Sequence, residues 1–185
     1  MLSMSTGQPM VIENRPGAAT IIGTEYAAKA APDGYTLYIG ASTAVAVIPY
    51  LYSKLPYNIE RDFAPVTMLA KAPNVLVASS TARINSPREL VAQAKARPGT
   101  LSYASPGIGS GLHLAGELFK QQAGVFMLHI PYRGTVPAAQ DVAAGNVDMV
   151  FGALPSVMPL VRAGKLRALA VTTPRRSATF PDLPT

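Results

Sequence analysis

Short apolar runs alternate with stretches of helical period along most of the chain, and Gly, Pro and Ser mark the junctions. Residues 9–13 read as a short apolar strand, residues 20–30 as an Ala-rich helix, Pro32-Asp-Gly34 as a turn and residues 35–40 as a β-rich run, together a β-α-β unit. Residues 63–70 and 74–79 read as two apolar strands separated by Lys71-Ala-Pro73. Ser86-Pro-Arg-Glu89 combines a Ser cap, proline at the first helical position and Glu at the third, and predicts a helix that runs to Arg97 and stops at Pro98-Gly99.

The second half repeats the rhythm, with strands over residues 101–104, 126–130, 147–151 and 166–172 and helices over residues 110–122, 136–144 and 154–163. Such alternation predicts an α/β sheet with mostly parallel strands, because right-handed crossovers lay the helices on its faces. Ligands gather at the carboxyl ends of strands in sheets of this kind. Three turns sit there: Gly40-Ala-Ser-Thr43, Ser105 to Gly111, and Tyr132-Arg-Gly-Thr135.

The middle turn is the richest in chemistry. In Tyr103-Ala-Ser-Pro-Gly-Ile-Gly-Ser-Gly-Leu-His-Leu-Ala-Gly116 a strand runs into a Gly/Ser turn that opens a helix. Gly107, Gly109 and Gly111 permit positive φ and close approach, while Ser105 and Ser110 add hydroxyls beside the free N–H groups of the first helical turn, so the run is expected to hold a carboxylate or phosphate. The spacing is G-x-G-x-G, without the third glycine or the following acidic residue of a dinucleotide fingerprint, and no Gly-Lys-Ser/Thr follows to make a P-loop. Neither serine sits in G-x-S-x-G, which removes the nucleophile elbow. A tight turn that binds nothing is the alternative reading.

Composition narrows the function classes. The 185 residues are 49% hydrophobic and 14% charged, enough to bury a core in one medium domain or one small domain plus part of another. No apolar run approaches a membrane span, and Met1-Leu-Ser-Met-Ser-Thr6 has neither the basic nor the apolar region of a signal peptide. The chain has no cysteine, which excludes disulfides and thiolate metal sites. The net charge of +6 is spread over single or paired Lys and Arg with no interleaved aromatics, so it favours attraction of small anions over nucleic-acid binding. His113 and His129 have too few acidic neighbours at ligand spacing for a metal site; neither a metal nor a cofactor is expected. A hydrolase would need Ser110, a histidine and Asp141 or Asp148 to meet in space.

The phrases Gly7-Gln-Pro9 with Glu13-Asn-Arg-Pro-Gly17, Ala31-Pro-Asp-Gly-Tyr-Thr36, Leu55-Pro-Tyr57, Arg61-Asp-Phe-Ala-Pro-Val66, His113-Leu-Ala-Gly-Glu-Leu-Phe119, His129-Ile-Pro-Tyr-Arg-Gly134, Ala163-Gly-Lys-Leu-Arg-Ala-Leu-Ala-Val171 and Pro181-Asp-Leu-Pro-Thr185 occur in order. With them the chain resembles the substrate-binding proteins of tripartite tricarboxylate transporters, the Bug family of periplasmic solute receptors. The resemblance implies a periplasmic-binding-protein-like α/β fold (a Venus flytrap) that is no enzyme, closes on a small carboxylate and delivers it to a membrane permease. It places a partial first lobe at residues 1–64, a hinge strand and linker at 65–73, a complete second lobe at 74–165 and a return hinge strand at 166–185. In the family a strand, a Gly-rich loop and a helix precede the Gly-Gln-Pro phrase, and the chain continues past Pro-Asp-Leu-Pro-Thr. Residues 2–7 are accordingly expected to be the tail of that helix and the first lobe to be incomplete, with weakened binding and self-association as consequences.

By the same resemblance, Ser105, Gly107, Gly109 and Ser110 hold the proximal carboxylate, Ser42 and Thr43 face it from the first lobe, and Tyr132, Arg133 and Gly134 lie near the ligand's far end. Arg133 replaces the usual Lys and offers a planar fork to a carboxylate. Ala153 stands where many relatives have a polar residue and leaves that corner of the ligand site apolar.

Overall fold

The computed structural model describes residues 6–177 and 180–185; most of the helix tail expected at residues 2–7 lies outside them. Five strands form one sheet: β1 (Asn74–Ser79), β2 (Ser102–Ser105), β3 (Leu128–Pro131), β4 (Met149–Ala153) and β5 (Leu166–Val171), in the order β3-β2-β4-β1-β5. β2 is parallel to β3 and β4, while β1 is antiparallel to both β4 and β5. Four strands therefore share one direction, and β1 alone opposes them. The sheet is mixed and mostly parallel, as the alternation predicts.

Helices cover both faces. α5 (Pro87–Ala96) and α6 (Gly111–Ala123) lie on one side, where Leu90 and Ala94 pack with Leu76, Tyr103, Met149 and Phe151. α7 (Thr135–Ala143) and α8 (Leu154–Arg162) cover the other, where Ala138, Ala139, Val142 and Val157 meet Val75, Val77, Ala104 and Val150. Adjacent residues of β1 thus enter opposite cores, which is why its sequence is a continuous apolar run. The Ser86 hydroxyl accepts from Glu89 N–H at 3.2 Å, and the Glu89 carboxylate reaches back to Asn85 N–H at 2.8 Å. α6 ends on Gly124, whose φ of 61° is the left-handed turn that releases the chain from the helix.

Residues 6–73 contribute α1 (Ile21–Ala28) and the short helices α2 (Ser42–Ala46), α3 (Ile48–Leu51) and α4 (Ile59–Asp62). The strands expected at residues 9–13, 35–40 and 63–70 do not form among the described residues. A strand needs a neighbouring backbone for its ladder, and these segments have none, so their apolar side chains stand in solvent: Val11 is 87% exposed, Tyr35 92% and Val66 84%. The one-turn helices escape the sequence reading because each is too short to show a helical period.

Candidate functional site

The turn after β2 was expected to offer free backbone donors, and the structure corrects this. Gly107 N–H donates to Ser105 Oγ at 3.2 Å, Gly109 N–H to His113 Nδ1 at 3.2 Å and Gly111 N–H to Thr43 Oγ1 at 2.9 Å. Ser110 caps α6, its Oγ accepting from His113 N–H at 3.1 Å, and Ser110 N–H donates to the Gly107 carbonyl. The glycines serve geometry instead: Gly107 and Gly109 have φ of 138° and 82°, and a Cβ on Gly109 would crowd Leu51 and Ile48 of α3. Ser105 is fully buried, and Ser110 and Thr43 nearly so. These residues, with Gly109, build the turn from behind rather than present a surface.

What faces solvent is a cleft of about 190 Å³ between two backbones. On one side are residues 17–19 and Tyr52; on the other are residues 106–108 and 131–133. The site residues that line it are Gly107, Tyr132 and Arg133. Gly134, with φ of 133°, caps α7 just beyond Arg133, Ser42 begins α2 as an exposed residue, and Ala153 ends β4 outside the lining. A larger groove of about 470 Å³ lies between α8, β5 and residues 180–183 and is lined by none of these residues.

Residues 17–19 and Tyr52 are the part of the cleft that the sequence reading missed. Gly17, Ala18, Ala19 and Thr20 all have positive φ (125°, 45°, 49° and 86°), an uncommon conformation for three consecutive residues with a Cβ. The run closes on itself, Thr20 N–H donating to the Gly17 carbonyl at 3.1 Å, and then leads into α1, so the backbone of Ala18 and Ala19 lies along the cleft just ahead of that helix. A Cβ on Gly107 would come within 3.8 Å of Ala19 N, which measures how closely the two turns approach. The Pro16-Gly17 dipeptide between an apolar run and an Ala-rich helix is the signal that could have marked this turn.

The other wall is held by Tyr132. Its N–H donates to the Ser105 carbonyl at 2.8 Å, and its hydroxyl donates to Asp141. Burial and the Asp141 carboxylate push the phenol up to about 12, while the Tyr132 and Asn146 hydrogen bonds hold Asp141 below the usual carboxylate range. Arg133 is exposed, makes no ion pair among the described residues and is the only charged side chain in the cleft lining.

Behind the turn runs a partly buried polar chain. Ser105 Oγ and His129 Nε2 are 2.7 Å apart, the His129 ring lies 4.3 Å from that of His113 and 4.8 Å from that of Tyr103, and Tyr103 donates to Glu117 at 2.5 Å. Lys120 donates to both Glu117 oxygens at 2.8 and 2.9 Å. Burial, reinforced by His113, pushes His129 down to about 4, and burial also lowers His113. Burial opposes ionisation of Glu117, but its bonds to Lys120 and Tyr103 outweigh that and hold it below the usual carboxylate range. Ser105 and His129 form a serine–histidine pair, yet full burial of the hydroxyl removes it from any substrate. Ser110, the serine named for a hydrolase, spends its oxygen on the helix cap. Among the described residues no three His, Asp or Glu side chains converge as metal ligands.

The family model for the tripartite tricarboxylate transporter family receptor matches residues 1–185. Protein BugT of Bordetella pertussis is 42% identical over 185 residues, covering all of this chain and 57% of BugT. The solved structure of R. palustris Rpa4515 with adipate superposes with a TM-score of 0.96 at 38% identity, and that of the periplasmic binding protein BugD with 0.93 at 33%; each match covers all of this chain, and 62% and 61% of those chains. The chain thus spans little more than half the length of the proteins it matches.

Proposed function

The chain belongs to the tripartite tricarboxylate transporter receptor family, a family of solute receptors rather than enzymes, and we propose that it holds a small carboxylate in the cleft between residues 17–19 and Arg133. The carrying observation is Arg133 itself: among the described residues its guanidinium has no ion pair and is the only charged group in the lining, opposite the backbone of residues 17–19. A carboxylate bridging the two would pair bidentately with the guanidinium and accept from the backbone N–H groups of the turn that precedes α1. Gly107 and Tyr132 shape the wall between them, while Ser105, Gly109, Ser110 and Thr43 support it, and Gly134 follows Arg133 at the start of α7. The absence of polar side chains other than Tyr52 and Tyr132 beside Arg133 favours a ligand with an apolar body. The adipate of the R. palustris protein is of that kind. Delivery to the membrane components of such a transporter, in the periplasm where BugD works, completes the reading.

A cleft of about 190 Å³ is smaller than the roughly 300–1,000 Å³ of well-formed ligand pockets, so affinity is expected to be modest, on the order of micromolar or weaker. Calorimetry with adipate and shorter dicarboxylates tests the proposal. Binding should weaken at least about tenfold in Arg133→Gln, as loss of a charge-assisted pair implies, with an unchanged melting temperature. No detectable binding, or binding indifferent to Arg133→Gln, would refute it.

A further inference from the structure

We propose that His113 and His129 are positioning residues for the cleft turn: as uncharged imidazoles tilted against one another, they fasten residues 105–109 from behind, and a proton on His113 unfastens them. The fastening is read from geometry alone, and only its effect on carboxylate binding rests on the function proposed above.

His113 Nδ1 lies 3.2 Å from Gly109 N, and an amide N–H only donates, so Nδ1 must be the acceptor and the ring's proton must sit on Nε2. That Nε2 points toward Glu117, 4.0 Å away. Protonating Nδ1 therefore breaks the Gly109 bond outright. His129 works one step along the same turn: its Nε2 meets Ser105 Oγ, which accepts from Gly107 N–H. The two glycine amides that set the positive-φ path of the turn are thus each tied to an imidazole, one directly and one through a serine. Neither attachment is to the cleft side, so the histidines act through the turn and do not touch the ligand.

The groups facing the pair are His113, Glu117 and Lys120 on α6, Tyr103 on β2 and His129 on β3. Among the described residues Glu117 is the one carboxylate that faces the pair, and its charge is already engaged by Lys120 at 2.8 Å and by the Tyr103 hydroxyl. With the rings 4.3 Å apart, a charge on one imidazole also opposes a charge on the other. The arrangement favours two neutral rings at neutral pH and gives acid a specific point of attack.

Asn places its side-chain oxygen near the position of a histidine Nδ1 and cannot be protonated, whereas Leu removes the acceptor while keeping an apolar side chain. In the absence of any ligand, exchange of the Gly109 amide should quicken about tenfold or more in His113→Leu and stay slow in His113→Asn. In the wild-type chain the Gly109 amide resonance should shift with the His113 imidazole as pH falls, and nitrogen shifts should show Nδ1 unprotonated at pH 7. Adipate affinity should drop about tenfold in His113→Leu, be retained in His113→Asn, and decline between pH 7 and pH 5 less in His113→Asn than in the wild type. Unchanged Gly109 exchange in His113→Leu, equal damage from the Asn variant, or a protonated Nδ1 at pH 7 would overturn the proposal. If wild-type chain binds no carboxylate, the receptor reading fails while amide exchange still decides the fastening.

Discussion

Gly116 of α6 leaves room for the ring of Tyr103: a Cβ at Gly116 would lie 2.3 Å from Tyr103 Cε2. The ring has nowhere to go, since it is fully buried, stacked on His129 and tied through its hydroxyl to Glu117. This contact sets the distance between α6 and β2, and so where the cleft turn between them lies. Gly116→Ala is expected to destabilise the fold by about 1–3 kcal/mol despite the higher helix propensity of alanine, the usual penalty of overpacking. Urea denaturation measures it. A stabilised variant would show that α6 can slide outward.

Thr43 Oγ1 accepts from Gly111 N–H at 2.9 Å and is a principal polar tie between the amino-terminal segment and the sheet domain. Thr43→Val keeps the shape and removes the acceptor, leaving a partly buried amide unsatisfied. A loss of about 1–2 kcal/mol is expected, accompanied by faster proteolysis within residues 42–62 while the sheet stays protected. Uniform loss of protection would mean that both parts unfold as one unit.

Acid should weaken the fold before most carboxylates titrate. His129 is held down to about 4 by burial, against an ordinary imidazole value near 6.5 in the unfolded chain. Between those values the unfolded chain binds the proton that the folded one refuses, so this contribution to stability is complete above about pH 6.5 and is lost progressively as pH falls toward 4. His113 acts in the same direction. Urea midpoints at pH 7.5 and 5.0 should differ, and the difference should shrink in His113→Asn. Equal midpoints in the wild type would contradict the prediction.

The extended segments at residues 9–13 and 35–40 carry Val11, Ile12, Tyr35, Leu37 and Ile39, exposed between 58% and 92%. Apolar side chains on unpaired backbone invite another chain. We expect concentration-dependent self-association through these segments, visible as a rising weight-average mass in light scattering across a dilution series. Ile12→Lys with Ile39→Lys should abolish it without altering the far-UV spectrum. A monomer at every concentration would refute the expectation.

Much of the sheet domain was determined by local sequence. β1, β3 and β4 are short, largely apolar runs, and α5 begins at Ser86, whose hydroxyl caps it as the residue order implies; Ser110, expected to face a ligand, caps α6 instead. Family membership was equally local, because it rests on ordered phrases rather than on geometry. Tertiary structure decided what adjacency could not: that β1 opposes the other strands, and that residues 9–13 and 35–40 stay unpaired, since pairing depends on a neighbour's presence and not on a segment's own propensity. It also decided the site. The donors of the glycine turn look free in the sequence because residue order does not say where a side chain turns: Ser105 and His113, two and four residues away, fold back onto Gly107 and Gly109, while the acceptor for Gly111 is Thr43, 68 residues away. The opposite wall at residues 17–19 owes its position to backbone dihedrals that alanine and threonine seldom adopt: Pro16-Gly17 marks a turn there, but nothing in the residues that follow announces its left-handed path.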